Sequence, residues 1–261
     1  MRLQAAAHWR CVDFVSDLHL SPALPLTTAA FERYLQQGVD GQRPDALFLL
    51  GDVFEVWVGD DALHTELATD TDSRHLQHCA AAVQAAAQHS AVHWIAGNRD
   101  FLLGADACQH MSMSALPDPC ALTLGTETVV LSHGDAGCVD DTDYQRFRAQ
   151  VRHLDWRAAF LALPLGERWA QAHAMRERSQ ARQAQTDAVW ADVDTAWSQA
   201  QLNSWQGSKL IHGHTHRPGS HPLAGGHERV VLSDWDLDHT PARAQVLRWQ
   251  AGQWRRHPIT P

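Results

Sequence analysis

No apolar run in this 261-residue chain approaches the ~20 residues that a membrane-spanning helix needs, so a span is not expected. The first ten residues, Met1 to Arg10, lack the apolar stretch of a secretory signal and read as ordinary sequence. Cysteine is sparse. Cys11, Cys79, Cys108, Cys120 and Cys138 are scattered, odd in number and contain no C-x-x-C, which argues against a disulfide framework or zinc knuckle and for a reducing, cytoplasmic compartment. Positive charge is also short: 21 Lys and Arg against 30 Asp and Glu leave a net charge of −9, which disfavours a general nucleic-acid binder. Internal repeats and low-complexity linkers are missing, so residues 1–261 read as a single domain with room for an insertion.

What is present supports a packed core, with 44% hydrophobic and 20% charged residues. The 18 histidines are unusual; His is the commonest metal ligand and the usual acid–base side chain near neutral pH. Cys11–Ser16, Ala46–Leu50 and Val92–Ala96 read as strands, and the stretches Ala29–Gln36 and Ser73–His89 as helices, with Ser73 as N-cap. This β-α-β-α-β order predicts an α/β layered fold. Ala121–Leu124 and Thr128–Ser132, around Gly125, predict an antiparallel hairpin. From about 142 to 205 helical periodicity takes over, broken near Pro164-Leu-Gly166, and predicts a helical insertion. Between Tyr144 and Arg182 that insertion holds eight arginines, three acids and the apolar run Phe160–Leu165, which reads as an amphipathic helix pair with a basic face. Strands return at Lys209–Ile211, Arg229–Ser233 and Ala244–Trp249, and Arg255–Pro261 reads as a frayed tail.

Five polar clusters follow apolar strands. They are Asp17-Leu-His19, Gly51-Asp52, Gly97-Asn98-Arg99-Asp100, Ser132-His133-Gly134-Asp135 and His212-Gly213-His214-Thr215-His216. Residues two apart on an extended chain point to one side, so Asp17 with His19, and His214 with His216, can each reach one ion. Open α/β sheets place ligands at the carboxyl ends of their strands. Any one cluster alone is an ordinary turn or cap; five in succession, each carrying His, Asp or Asn, are not.

In that order the blocks D-x-H, G-D, G-N-R-D, S-H-G-D and G-H-T-H resemble the signature of the calcineurin-like metallophosphoesterases. The longer strings Asp52-Val-Phe-Glu-Val-Trp-Val-Gly-Asp-Asp61, Asn98–Gly104, Asp140–Arg148 and Ile211–Pro218 resemble, within them, the UDP-2,3-diacylglucosamine pyrophosphatases of lipid A synthesis. The resemblance implies a four-layer αββα sandwich with an inserted helical cap at about 142–205. It implies hydrolysis of UDP-2,3-diacylglucosamine to UMP and 2,3-diacylglucosamine 1-phosphate, with water activated by two divalent ions, Mn²⁺ foremost, attacking the α-phosphorus. Carried over block by block, Asp17, His19, Asp52 and His216 hold one ion. Asp52, Asn98, His133 and His214 hold the other, and Asp52 bridges. Arg99 is the catalytic cation beside the phosphorus. Ser16 and Ser132 have no nucleophilic part.

Substrate contacts are implied for Asn98, Arg99, Asp141 and His214, and for a cap triplet that falls on Ser179, Gln183 and Thr186. The family's lysine is lost at Thr186, and Arg182, one helical turn earlier, is expected to replace it. The implied partners are a lipid-linked nucleotide and an anionic membrane surface, met peripherally by a monomer on the cytoplasmic face of the inner membrane. Two alternatives stay open: an esterase of the same fold acting on another nucleotide pyrophosphate, and a non-catalytic scaffold. A soluble substrate gives no reason for Phe160–Leu165 beside eight arginines, and a scaffold gives none for seven donors.

Overall fold

The strand-like runs are apolar at consecutive positions because both of their faces are covered. In this computed structural model, residues 1–64, 70–185 and 191–261 are described, those from 178 to 185 by backbone alone. One sheet has the order β12-β11-β2-β3-β4-β5, built from β2 (Cys11–Val15), β3 (Ala46–Leu50), β4 (Ala91–Ile95), β5 (Met113–Leu116), β11 (Gln245–Gln250) and β12 (Gln253–Pro258). The other has the order β1-β6-β7-β8-β10-β9, built from β1 (Arg2–Gln4), β6 (Cys120–Leu124), β7 (Glu127–Leu131), β8 (Lys209–His212), β9 (Gly219–Pro222) and β10 (Glu228–Val231). Strands β2 to β5 run parallel, as do β7, β8 and β10.

Alternation within each strand sorts side chains between layers. Phe48 and Leu50 of β3, and Val129 and Leu131 of β7, share the core between the sheets. Leu47 and Leu49 face outward into a core capped by α1 (Pro25–Gln37) and α2 (Thr71–Ala86). Val130 faces outward on the other side, against Leu202 of α7 (Thr195–Trp205). The result is the four-layer αββα sandwich implied by the motif order. A short α3 (Ala105–His110) precedes β5, and α4 (Thr142–Val151), α5 (Leu154–Leu161) and α6 (Leu165–Gln185) precede α7.

Three expectations are corrected. The N-cap of α2 is Asp70, not Ser73; the Asp70 carboxylate accepts from Ser73 N at 2.7 Å. The stretch from Tyr144 to Arg182 forms three helices rather than two, because His153 caps a new one. The tail is not frayed. Residues Gln253–Pro258 pair along β11 after a two-residue turn at Ala251 and Gly252, both in the left-handed region, and Trp254 tilts against Phe14 in the inter-sheet core.

His93 of β4 is a polar group in an apolar slot, stacked on Phe48 at 4.7 Å, with no hydrogen-bond partner on either ring nitrogen. Burial pushes its pKa down to about 4, so the folded protein holds it neutral. The unfolded chain takes up that proton below about 6.5. Stability present above that pH is therefore lost as pH falls toward 4, by up to about 1.4 kcal/mol per unit from this group. His93→Phe is expected to flatten the fall in melting temperature between pH 6.5 and 4.5. An unchanged slope would remove His93 from the acid response.

Candidate metal centre

The carboxyl ends of β2, β3 and β4 in one sheet, and of β7 and β8 in the other, meet at one edge of the sandwich. Backbone hydrogen bonds stitch the clusters together: Asp17 N donates to Gly51 O at 3.0 Å, and Gly213 N to His133 O at 3.0 Å. Each cluster turns sharply. Asp17, His19, Asp52, His214 and His216 have φ between 48° and 66°, the left-handed region that non-glycine residues enter at a cost. Only four other non-glycine residues among those described share it, so the strain is concentrated at this edge. Gly97 and Gly213 allow the blocks to close. A Cβ on Gly97 would lie 2.2 Å from Asp52 Oδ1, and one on Gly213 would lie 2.1 Å from Asp17 Oδ2.

Two donor groups result. The ligating atoms of Asp17, His19 and His216 lie within 4.8 Å of one another, as do those of Asp52, His133 and His214. Asn98 completes the second group, its Oδ1 2.9 Å from His133 Nε2 and 2.8 Å from His214 Nδ1. Asp52 Oδ1 lies 3.7 Å from His133 Nε2 and accepts from Arg99 N at 2.8 Å. Ser16 Oγ donates to Asp17 Oδ2 at 2.5 Å and Ser132 Oγ accepts from Gly134 N, so both hydroxyls brace the site. All seven expected donors are thus brought together, and carboxylates, imidazoles and one amide suit a pair of divalent cations of the Mn²⁺, Fe²⁺ or Zn²⁺ kind.

The charges are poised for cations. Burial opposes protonation of His19 and His133, but contact with Glu55 in the first case, and with the Asp52 and Asp17 carboxylates in the second, raises each pKa to about 9. Burial, reinforced by the neighbouring His133, pushes His214 down to about 3. Burial would push Asp17 up, but the hydrogen bond and charge of His216 hold it well below the usual carboxylate range. A cation taken up at these donors would therefore displace protons from His19 and His133.

The spacing of the sequence does not reveal what the cap arginines do. Asp135 is fully buried. It takes Arg148 Nε at 2.8 Å, Arg152 Nη2 at 3.2 Å and Tyr144 Oη at 2.7 Å, so it anchors α4 beside the site. Arg152 Nη2 also donates to Gly97 O at 3.0 Å, and the Tyr144 ring lies 5.8 Å from that of His214. Arg168 binds Asp61 and Val58 O, and Arg176 reaches Glu55 at 2.7 Å. Four of the six arginines whose side chains are described there are thereby turned inward. Asp135 belongs to a recognised block, yet its partners come from another element and leave no signal in its own neighbourhood. Asp141 caps α4, accepting from Tyr144 N at 3.0 Å. Ser179, Arg182 and Gln183 lie on α6, where side chains are not described, and Thr186 lies outside the described residues.

Comparison with known proteins adds a second line. The chain is 40% identical over 257 residues to the UDP-2,3-diacylglucosamine hydrolase of Stenotrophomonas maltophilia (strain K279a), covering 92% of this chain and 95% of that protein. It is 44% identical over 233 residues to the hydrolase of the same name from Xanthomonas axonopodis pv. citri (strain 306), covering 85% and 90%. The one from Bordetella parapertussis is 41% identical over 227 residues, covering 86% and 85%. A family model described as calcineurin-like phosphoesterase matches residues 12–218, a span that holds all five polar clusters. With most of its length matched in this way, the chain belongs to the calcineurin-like phosphoesterase family.

Proposed function

We propose that this chain hydrolyses the pyrophosphate of UDP-2,3-diacylglucosamine, releasing UMP and 2,3-diacylglucosamine 1-phosphate. The reading is carried by relatives of 40–44% identity, matched over most of their length, that bear this activity in their names. The two donor groups lend it chemical means.

Asp17, His19, Asp52 and His216 would hold one divalent cation, and Asp52, Asn98, His133 and His214 the other, with Mn²⁺ the proposed species. When bound, such a pair supplies Lewis acidity and a water of lowered pKa. The chain's own groups do the rest. Asp52 belongs to the second donor group, and its charge also acts on His19 of the first, so its carboxylate would link the two. The Arg99 backbone is fixed by its bond to Asp52, and its guanidinium, 3.9 Å from Glu55 Oε1, would meet charge growing on the attacked phosphate. Asn98 and His214 would contact that phosphate, and Asp141 and the cap positions Ser179, Arg182, Gln183 and Thr186 the remainder of the substrate. Of the insertion expected at about 142–205, helices α4 to α6 would form the cap while α7 covers the second sheet, and the Asp135 network anchors α4 beside the centre.

No helix among the described residues is long and apolar enough to cross a membrane. A lipid substrate nevertheless demands an apolar meeting place. Val139, Phe147, Leu154 and Leu161 are large exposed apolar side chains on and around α4 and α5. We assign peripheral contact with an anionic membrane face to this surface, on a monomer.

The test is product analysis with purified protein and UDP-2,3-diacylglucosamine, with and without Mn²⁺. UMP and the diacylated sugar phosphate should form only with the metal, and their absence from the metal-loaded protein would exclude the reading. Attack at the α-phosphorus gives a sharper expectation. In ¹⁸O-labelled water the label should appear in UMP, and label in the lipid phosphate would place the wrong phosphorus over the ions.

A further inference from the structure

Glu55 has no part in the chemistry outlined above, yet it is only 6% exposed. A carboxylate buried that deeply stays charged only where cations or donors meet it. Its two oxygens serve two different elements. Oε2 lies 2.6 Å from His19 Nδ1, whereas Oε1 lies 2.7 Å from Arg176 Nη1 on α6 and 3.9 Å from Arg99 Nη1. The backbone dictates this placement. Beyond the ends of β2 and β3 the two chains keep running side by side: His19 N donates to Asp52 O at 3.0 Å, Leu20 N to Val53 O at 2.9 Å and Glu55 N to Leu20 O at 3.2 Å. Glu55 meets His19 through strand register rather than by a chance contact of flexible side chains.

An imidazole presents one nitrogen according to what its other nitrogen binds. With Nδ1 turned to Glu55, His19 offers Nε2 to the centre, where it lies 3.3 Å from His216 Nε2. We propose that Glu55 is a positioning residue with two functions: one oxygen fixes His19 as a metal donor, and the other clips helix α6, through Arg176, against the same centre. This inference rests on the metal reading of the site. It makes the cap and the cation pair depend on a single carboxylate.

The experiment uses the full chain stripped of metal, with folding checked by circular dichroism. Mn²⁺ binding is measured by calorimetric titration and the docking of α6 by hydrogen exchange over residues 167–177. Glu55→Ala is expected to weaken Mn²⁺ binding by about 10–100-fold, the usual scale for a carboxylate that orients a ligand histidine, and to speed exchange in α6. Glu55→Gln keeps an oxygen for His19 but no charge for Arg176, so it should recover most of the Mn²⁺ affinity while α6 exchange stays fast. Arg176→Met should likewise speed α6 exchange without weakening Mn²⁺ binding. A buried carboxylate with a merely structural part would lower the melting temperature and leave the affinity of the folded protein alone. Wild-type Mn²⁺ affinity in folded Glu55→Ala overturns the proposal. Should that variant not fold, unchanged α6 exchange in both Glu55→Gln and Arg176→Met overturns it instead. If the wild-type chain itself takes up no Mn²⁺, the metal reading falls and carries the inference with it, a result distinct from normal binding that the variants fail to alter.

Discussion

Asp52→Ala is expected to lower turnover by about a thousandfold or more at saturating Mn²⁺, beyond the loss of a single donor to transition-state charge. The reason is positional. Asp52 sits at the end of β3, 2% exposed and held in the left-handed region at φ 52°. It is within reach of His133 and bonded to the backbone of Arg99. In the proposed centre this one carboxylate would serve both cations, and it also places the backbone of Arg99. Calorimetry should show at least one Mn²⁺ site lost, while circular dichroism stays native. Turnover above a small fraction of wild type, in folded and metal-saturated protein, would show that Asp52 does not bridge.

Gly97→Ala should do nearly as much damage without touching a donor. The added Cβ would lie 2.2 Å from Asp52 Oδ1 and 2.3 Å from Asp52 N. The second atom is backbone and cannot swing aside, so the loop after β4 must move away from the loop after β3. Overpacking costs about 1–3 kcal/mol, which at this chain length lowers the melting temperature by several degrees. The larger effect falls on activity, because Asn98 and Arg99 move with Gly97. Gly166→Ala is the matched control. Gly166 lies in α6 with nothing within 4 Å of the added carbon, so alanine there should leave stability level or slightly raised. Equal behaviour of the two variants would mean that the loops give way freely and that their close approach has no bearing on the chemistry.

The site was more legible in the sequence than the fold around it. Strands such as Ala46–Leu50 are buried on both faces and announce themselves as unbroken apolar runs, and the polar residues that end them stand out by contrast. Edge strands give no such signal. Arg2–Gln4, Gly219–Pro222 and Gln253–Pro258 are largely polar, and each exists because a neighbour offers a free ladder of backbone groups. The α2 cap was misplaced because Asp70 and Ser73 are both good caps three residues apart, and only geometry tells which one accepts. The cap arginines show a different limit. Their count suggests a basic surface, but Asp61 and Glu55 lie over a hundred residues from their arginines, and Asp135 lies 13 and 17 residues from its own across an element boundary, so spacing does not pair them.

The left-handed residues at the sheet edge have a consequence for anyone who engineers this chain. Asp17, His19, Asp52, His214 and His216 each occupy backbone that glycine would adopt more easily. A stabilising redesign that scores only the metal-free fold would replace these five first, and each improvement would erase a donor. Such conflict between local comfort and global purpose is what strained backbone at a working site entails. Backbone angles thus flag five of the seven proposed donors before any library is drawn, and Asn98 and His133 join them through their place in the same clusters.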